Sequence, residues 1–327
     1  MNTSESIPEG LMLTPEPKNN WVTRVRSRLS YELFLARRMQ GWKSFLLWRI
    51  GLKRPFNAST GTSKFLVDDE AKRRQLSSRM RKWYSIWPLE EEESEDGNGT
   101  IMLKFGTRTL RFQYNRDSRS DFIGILQKFF LEEPYKVLDV KGRVVVDVGA
   151  DIGDSAIYFC CQGATKVISF EPYPYFYEFA SKNIIANGFK DKVVLYNEGG
   201  GRNAELRVSP EKLVPWTELK GSDQGKRVRT NNLRNLLERF HLDSAVLKVN
   251  CEGCEYDFFD DATADDFAHF SQIMLQYHHG SEPFVKKFKA AGCSVKVWDV
   301  RLKQEGENGY ILATPGSPRA LESPEGV

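Results

Sequence analysis

Five residues that could do chemistry together fall in one short turn and its continuation. Asp147, Gly149, Ala150, Asp151 and Gly153 follow a β-branched run at 143–148, and Glu171 ends a second such run at 166–170. Each run has the composition of a buried parallel strand. Without a Cβ, Gly149 lets the backbone approach a ligand and adopt a positive φ. Asp154 or Ser155 caps the helix that follows, which carries Ile157, Phe159 and Cys160 up to Gly163. At the carboxyl end of the second strand, Glu171 is placed to accept hydrogen bonds from the two hydroxyls of a ribose. The turn departs from the dinucleotide pattern G-x-G-x-x-G, because an acid precedes the first glycine and Asp occupies 151. Asp147 and Asp151 would repel a pyrophosphate and favour a cationic ligand with a single ribose.

A second group lies further on. The segment LKVNCEGCE at 247–255 carries Asn250, Glu252 and Glu255, and the strand at 272–277 leads into Gln276 and His278. In a doubly wound sheet ligands lie beyond the carboxyl ends of the strands, so both groups converge on one cleft. His278 has the intrinsic pKa of a base at neutral pH, with Glu252 and Glu255 as carboxylate candidates. Cys251 and Cys254 have redox or zinc spacing, but no second pair of ligands accompanies them. Two small, buried, reduced cysteines are the expectation, and no metal.

Three stretches together, VVDVGADIGD at 145–154 with FEPYP at 170–174, KNIIAN at 182–187 and LKVNCEGCE, resemble the FkbM family of S-adenosylmethionine (SAM)-dependent methyltransferases. The resemblance runs from about residue 121 to 313. It implies a Rossmann-like α/β fold with a seven-stranded, mostly parallel sheet. It also implies SAM as cofactor, whose sulfonium and ammonium suit the acidic turn, and methyl transfer to a hydroxyl on a sugar, glycan, lipid or other metabolite. Cofactor contacts are then expected from Asp147, Gly149, Ala150, Asp151, Gly153, Glu171 and Asn197. Catalytic roles fall to His278, Glu252, Glu255 and Asn250. Asn250 stands where the family motif has Asp, and Gln276 where the family has Glu. Each swap keeps the shape and loses the charge. A non-catalytic SAM-binding relative is therefore the first alternative, and a nicotinamide oxidoreductase the second.

The elements that must position these groups alternate. A hairpin is predicted at 101–114 around Gly106, and a helix at 121–131 with Asp121 as its N-cap. After Glu171 come a helix at 175–187, a strand at 193–196 and the glycines at 199–201, which reach the adenine edge or form a loose loop. An irregular, substrate-facing insertion spans 204–229. A helix at 231–240, strands at 245–250 and 272–277, a helix at 282–291 and strands at 294–298 and 309–313 complete a parallel sheet.

The 327 residues include 28% charged and 40% hydrophobic residues, the balance of a globular protein. Residues 1–89 hold 17 Lys and Arg against 7 Asp and Glu, leaving 30 against 37 for the remainder. A polar segment at 1–20 reads as disordered, and 21–89 as a basic helical extension. Within it, 21–56 mixes Trp, Phe and Arg at helical spacing. That pattern suits a cap on the catalytic domain or a helix on an anionic membrane surface. A polar loop is predicted at 57–63, a further helix at 68–85, an acidic linker at 90–99 and a polar tail at 314–327. No nucleic-acid module is visible. The five cysteines and the absence of a signal-peptide layout indicate a reduced, cytoplasmic protein, with peripheral membrane association where the basic segment binds lipid.

Overall fold

The computed structural model describes residues 35, 39–49, 52, 54–60, 63–74, 76–77, 89–208, 225–303 and 306–316. The chain divides between Glu90 and Glu91 into two compact units.

In the first unit, β1 (Met39–Gln40), α1 (Trp42–Arg49), β2 (Phe56–Thr60) and β3 (Ser63–Val67) follow one another. The single helix expected over 21–56 is interrupted in its described part. Gly41 adopts φ +84°, and a Cβ there would meet the Asn57 carbonyl oxygen at 2.3 Å. The polar loop expected at 57–63 is instead the β2–β3 hairpin, with Phe56 opposite Val67. Leu35, Met39, Phe45, Trp48, Phe56, Ala58, Val67 and Leu76 form a small core of this unit. Trp48 Nε1 donates to Glu70 Oε2 at 3.2 Å. Residues 1–34 and 78–88, and with them most of the amphipathic pattern, lie outside the described residues.

From the boundary onward run β4 (Glu90–Glu93), β5 (Gly99–Phe105) and β6 (Arg108–Tyr114), which form one three-stranded sheet in that order. The acidic linker expected at 90–99 is thus partly a strand. Glu91 accepts from Tyr114 Oη at 2.5 Å and from Arg119 Nη2 at 2.7 Å, so its charge is neutralised where a solvated run was expected. Helix α2 (Arg119–Leu131) follows, with Ser118 rather than Asp121 at the N-cap position. Asp121 lies in the first turn, where its charge complements the helix dipole.

The main sheet has seven strands in the order β15-β16-β14-β13-β7-β8-β9. They are β7 (Val144–Val148), β8 (Lys166–Phe170), β9 (Val193–Tyr196), β13 (Ala245–Val249), β14 (Phe270–Tyr277), β15 (Ser294–Lys303) and β16 (Gly306–Thr314). β7, β8, β9, β13 and β14 pair in parallel, and β16 runs antiparallel to both its neighbours. The chain leaves β7 toward β8 and β9, then returns to β13 on the other side. The carboxyl ends of β7 and β13 therefore flank the switch point of a Rossmann-like α/β sheet. Helix α3 (Asp154–Cys161) joins β7 to β8, and α4 (Pro174–Ala186) joins β8 to β9.

Two local devices aim these elements. Phe105 of β5 meets Phe130 of α2 at 5.2 Å and Tyr158 of α3 at 5.5 Å between ring centroids, which seats α2 against the sheet domain. Two asparagines of the 182–187 stretch dock the hairpin on α4. Asn183 Oδ1 accepts from Gln113 N at 2.8 Å, and Asn187 Oδ1 accepts from Arg111 N at 2.9 Å. Asn183 Nδ2 also donates to the Ile152 carbonyl at 2.9 Å, tying α4 to the turn after β7.

The insertion begins in regular structure. β10 (Gly199–Gly200), β11 (Ala204–Val208) and β12 (Lys226–Asn231) form a separate three-stranded sheet. Residues 209–224 lie outside the described residues. α5 (Leu233–Phe240) is capped by Asn232, whose side chain accepts from Asn235 N at 2.9 Å.

At the floor of the switch point, Asp147 and Lys248 are register partners on β7 and β13, exposed 0% and 1%. Their charged atoms stand 2.8 Å apart. Lys248→Met would leave the Asp147 charge buried without its cation. We expect a loss of about 3–5 kcal/mol, read as a lowered urea midpoint, and a smaller loss in Asp147→Asn/Lys248→Met. A Lys248→Met variant as stable as the wild type would contradict this role.

Candidate functional site

The strand ends bring most of the expected residues to one place. Asp147 does not face the cleft. Besides Lys248, it accepts from Ser155 Oγ at 2.8 Å and Ser169 Oγ at 3.2 Å, so its oxygens are held by α3, β8 and β13. Lys248 Nζ also donates to the Gly149 carbonyl at 2.6 Å and so clamps the turn. Ser155 thus serves the ion pair rather than the helix cap, and Gly153, with φ +83°, takes the N-cap position of α3.

The glycine turn is likewise built for the protein's own backbone. Gly149 has φ +84°, and a Cβ there would lie 1.8 Å from the Asn250 carbonyl oxygen, so the close approach is between the ends of β7 and β13. The amides of Gly149 and Ala150 both donate to the Phe170 carbonyl at 3.0 Å, and Ala150 is fully buried. Gly153 lies under α4, with Ala180 Cα 3.2 Å from where its Cβ would be. Asn197 is also spent internally. Its Nδ2 donates to the carbonyls of Glu171 and Pro172 at 2.9 and 3.0 Å, and its Oδ1 accepts from Lys226 Nζ at 2.7 Å. Of the glycines after it, Gly200 packs into the core, where a Cβ would meet Val148, Cys254 and Phe258. These residues are engaged within the protein and form the floor and walls of the cleft.

Asp151 and Glu171 are the acids at these strand ends that keep acceptor capacity to spare. Glu171 is 4% exposed and follows β8 directly. Its carboxylate accepts from Asp151 N at 2.8 Å and Tyr173 N at 3.0 Å. An ionised carboxylate offers about four acceptor positions, so two remain for a pair of ribose hydroxyls. Burial, reinforced by the Asp151 charge, pushes Glu171 up to about 8. Asp151 is held at φ +48°, and its Oδ1 is buried with no hydrogen-bond partner among the described residues. Burial raises Asp151 to about 7, with Lys248 opposing. Asp154, 2% exposed, is raised well above its ordinary value by burial and then by the Asp151 charge. The Tyr310 hydroxyl is also buried with no hydrogen-bond partner among the described residues, and Asn250 and the Tyr135 hydroxyl are buried beside one another. Asp147, Asp151, Asp154 and Glu171 therefore share the buried ammonium of Lys248. Such a site fits a cationic, ribose-bearing ligand, which would supply both the missing charge and the missing hydrogen bonds.

On the other side of the switch point stands His278. Its Nδ1 lies 2.9 Å from Glu255 Oε1, and its Nε2 lies 3.3 Å from Glu252 Oε2. Glu255 is fully buried at the start of α6 (Glu255–Phe258) and accepts from Gly253 N at 2.9 Å, so it is fixed. The Glu252 side chain is 72% exposed. Burial opposes the imidazolium, but the hydrogen bonds to Glu252 and Glu255 outweigh it and raise His278 to about 9. The two carboxylates together take this histidine out of the neutral range that its intrinsic pKa gives. Gln276 completes the group, with Nε2 3.4 Å from His278 Nε2 and Oε1 accepting from Lys128 Nζ at 3.3 Å.

The cysteine expectation is also corrected. Cys251 and Cys254 form a disulfide, with Cα atoms 5.4 Å apart. The left-handed backbone at Glu252 (φ +53°) and Gly253 (φ +107°) folds the turn tightly enough to bring the sulfurs together. Among the described residues no group of His, Cys, Asp and Glu could hold a metal ion, and no helix is long and apolar enough to cross a membrane.

Sequence reasoning missed Lys128, Tyr135, Asp154 and the pairing of Lys248. For Lys248 a signal existed: a lysine inside the buried run 245–249 demands a counter-charge, and Asp147 occupies the matching place in the neighbouring strand. Lys128 gave none, because one lysine on an apolar helix reads as solvated.

The acids generate a pH prediction. In the unfolded chain Asp151 and Glu171 ionise near their ordinary values of 3.8 and 4.5, whereas the ligand-free fold holds their protons to about 7 and 8. Between those limits the unfolded state binds fewer protons, so ligand-free stability falls as pH rises toward 8. Glu171→Gln should flatten this loss, on the order of a few kcal/mol. Thermal melts at pH 5 and pH 8 that show the same slope in wild type and variant would contradict the assignment.

A 40-residue stretch is 48% identical to the uncharacterised protein 158B of Sulfolobus islandicus rod-shaped virus 1, covering 12% of this chain and only 25% of that one. Among solved structures, M. capricolum TrmK in complex with S-adenosyl-homocysteine is 9% identical, over 58% of this chain and 69% of that one, with a TM-score of 0.40. Precorrin-6y C5,15-methyltransferase from Geobacter metallireducens is 14% identical, over 62% and 89%, with a TM-score of 0.33. The family model of the methyltransferase FkbM domain matches residues 147–306, a stretch that holds Asp147, Glu171, Glu252, Glu255 and His278. Residues 147–306 of this chain are a methyltransferase FkbM domain.

Proposed function

We propose that the domain transfers the methyl group of SAM to a hydroxyl, with His278 taking the hydroxyl's proton. The observation that carries this reading is the Glu255–His278 pair, a buried carboxylate 2.9 Å from Nδ1 at the edge of an acidic, ribose-ready cleft. When bound, SAM supplies an electrophilic methyl on a sulfonium. Glu171 would hold its ribose, and the carboxylates of Asp151 and Asp154 would offset its positive charge. The acidic turn, which lacks the second glycine of the dinucleotide pattern, argues against a nicotinamide cofactor.

Glu255 orients the imidazole and stabilises the imidazolium formed on proton transfer, the role a buried carboxylate plays beside a catalytic histidine. With Glu252 in place, Nε2 is already protonated and His278 is no base. Glu252 is the exposed partner, so an acceptor hydroxyl can take its position at Nε2. Removing that one carboxylate lets the histidine pKa fall toward neutrality, and the freed Nε2 then accepts the proton. Asn250 and Gln276 are amides and take no proton at neutral pH. Their part is positioning. The acceptor is a sugar, glycan, lipid or other hydroxyl-bearing metabolite.

The test is turnover of radiolabelled SAM over an acceptor panel. His278→Ala should bind SAM with unchanged affinity and lose ~10²–10⁴ in rate. Glu252→Gln should lower the His278 pKa and move the acid limb of the rate profile to lower pH. Near-full turnover by His278→Ala would remove it as the base. A wild type inert toward the whole panel, with activity gained in Asn250→Asp/Gln276→Glu, would make this chain a SAM-binding relative without catalysis.

A further inference from the structure

Lys128 belongs to α2, outside the stretch that the FkbM domain model matches, yet it reaches the acceptor side of the cleft. Its Nζ donates to Gln276 Oε1 at 3.3 Å, and the other end of that amide, Nε2, stands 3.4 Å from His278 Nε2. The rings of Phe129 and Tyr310 flank the ammonium at 5.1 and 5.9 Å. The Tyr310 hydroxyl is buried with no hydrogen-bond partner among the described residues. Glu252, Glu132 and Asp154 attract Lys128 through space, none of them at ion-pair distance. Glu252 is engaged with His278, Glu132 is exposed, and no carboxylate among the described residues forms an ion pair with Nζ.

An ammonium half-withdrawn from water, with a neutral amide as its polar partner, is electrostatically incomplete. An anion at this point would gain a charge-assisted hydrogen bond from Lys128 and leave the aromatic contacts in place. Gln276 sets the spacing. Its carbonyl end marks Lys128 and its amide end marks His278, so a hydroxyl at one and an anion at the other are held one side-chain amide apart.

The geometry points to a hydroxy acid as the acceptor: a molecule whose methylated hydroxyl and carboxylate are only a few bonds apart, with the carboxylate on Lys128. The inference rests on hydroxyl methylation at His278 and narrows its substrate class, since a neutral glycan would leave Lys128 unpaired.

The test uses full-length protein saturated with S-adenosylhomocysteine, titrated in a calorimeter. The probes are lactate, glycerate and D-glucuronate, each beside a neutral counterpart (lactamide, glycerol, D-glucose). We expect at least one acid to bind about tenfold tighter than its neutral match. Lys128→Met should erase that preference without changing S-adenosylhomocysteine affinity, and Lys128→Arg should keep most of it. No acid preferred over its counterpart, or a preference that persists in Lys128→Met, overturns the inference and leaves the cofactor reading intact. A wild type that does not bind S-adenosylhomocysteine overturns both.

Discussion

The Asp147–Lys248 ion pair is the interaction on which the cleft depends. Two oppositely charged residues at matching register on adjacent parallel strands occupy the place where the strand order reverses. Neither could be buried alone, since an unpaired interior charge costs several kcal/mol. Together they bind four elements. Asp147 takes hydroxyl hydrogen bonds from α3 and β8, and Lys248 takes up the carbonyl of Gly149. The turn after β7 is thereby pulled against the end of β13, closely enough that only glycine fits at 149. The acidic residues of that turn are then held where water is scarce, which is the source of their raised pKa values.

From this follows the division of the cleft into two chemically distinct halves. The β7–β8 side presents Asp151, Asp154 and Glu171, carboxyls whose ionisation is disfavoured by burial. The β13–β14 side presents an imidazole between a buried and an exposed carboxylate, with an amide and an ammonium beyond it. The first half suits a charged methyl donor and the second a proton-bearing acceptor. The short crossover between them, residues 250–255, is tightened by the Cys251–Cys254 bond and by left-handed backbone at Glu252, and so places Glu252 over His278.

The parallel strands were legible because β-branched runs with glycine or acid at their ends have few other uses: 166–170 and 193–196 coincide with β8 and β9. The place of Glu171 was legible for the same reason, since it depends only on the end of one strand. What was not legible depends on which way a side chain turns. Asp147 lies two residues before Gly149 and reads as a ligand, yet it points at Lys248, a hundred residues on. Asn197 reads as a cofactor contact, yet its amide closes the gap between two strand ends. The acidic run at 90–93 reads as solvated because the partners of Glu91, Tyr114 and Arg119, are distant in sequence. The cysteine bond depends on two left-handed residues that composition does not reveal. Lys128 is brought to the site by aromatic packing between α2, β5 and α3, which carries no chemical signature of its own.

The central claim is that a cationic, ribose-bearing ligand completes a cluster of acids that are protonated in its absence. Calorimetric titration of SAM at pH 7 in buffers of different ionisation enthalpy measures it directly, because the slope of apparent enthalpy against buffer enthalpy counts protons exchanged on binding. The account predicts net proton release on binding, and a smaller release in Glu171→Gln. Binding without proton release, or with a release that Glu171→Gln leaves unchanged, would contradict it.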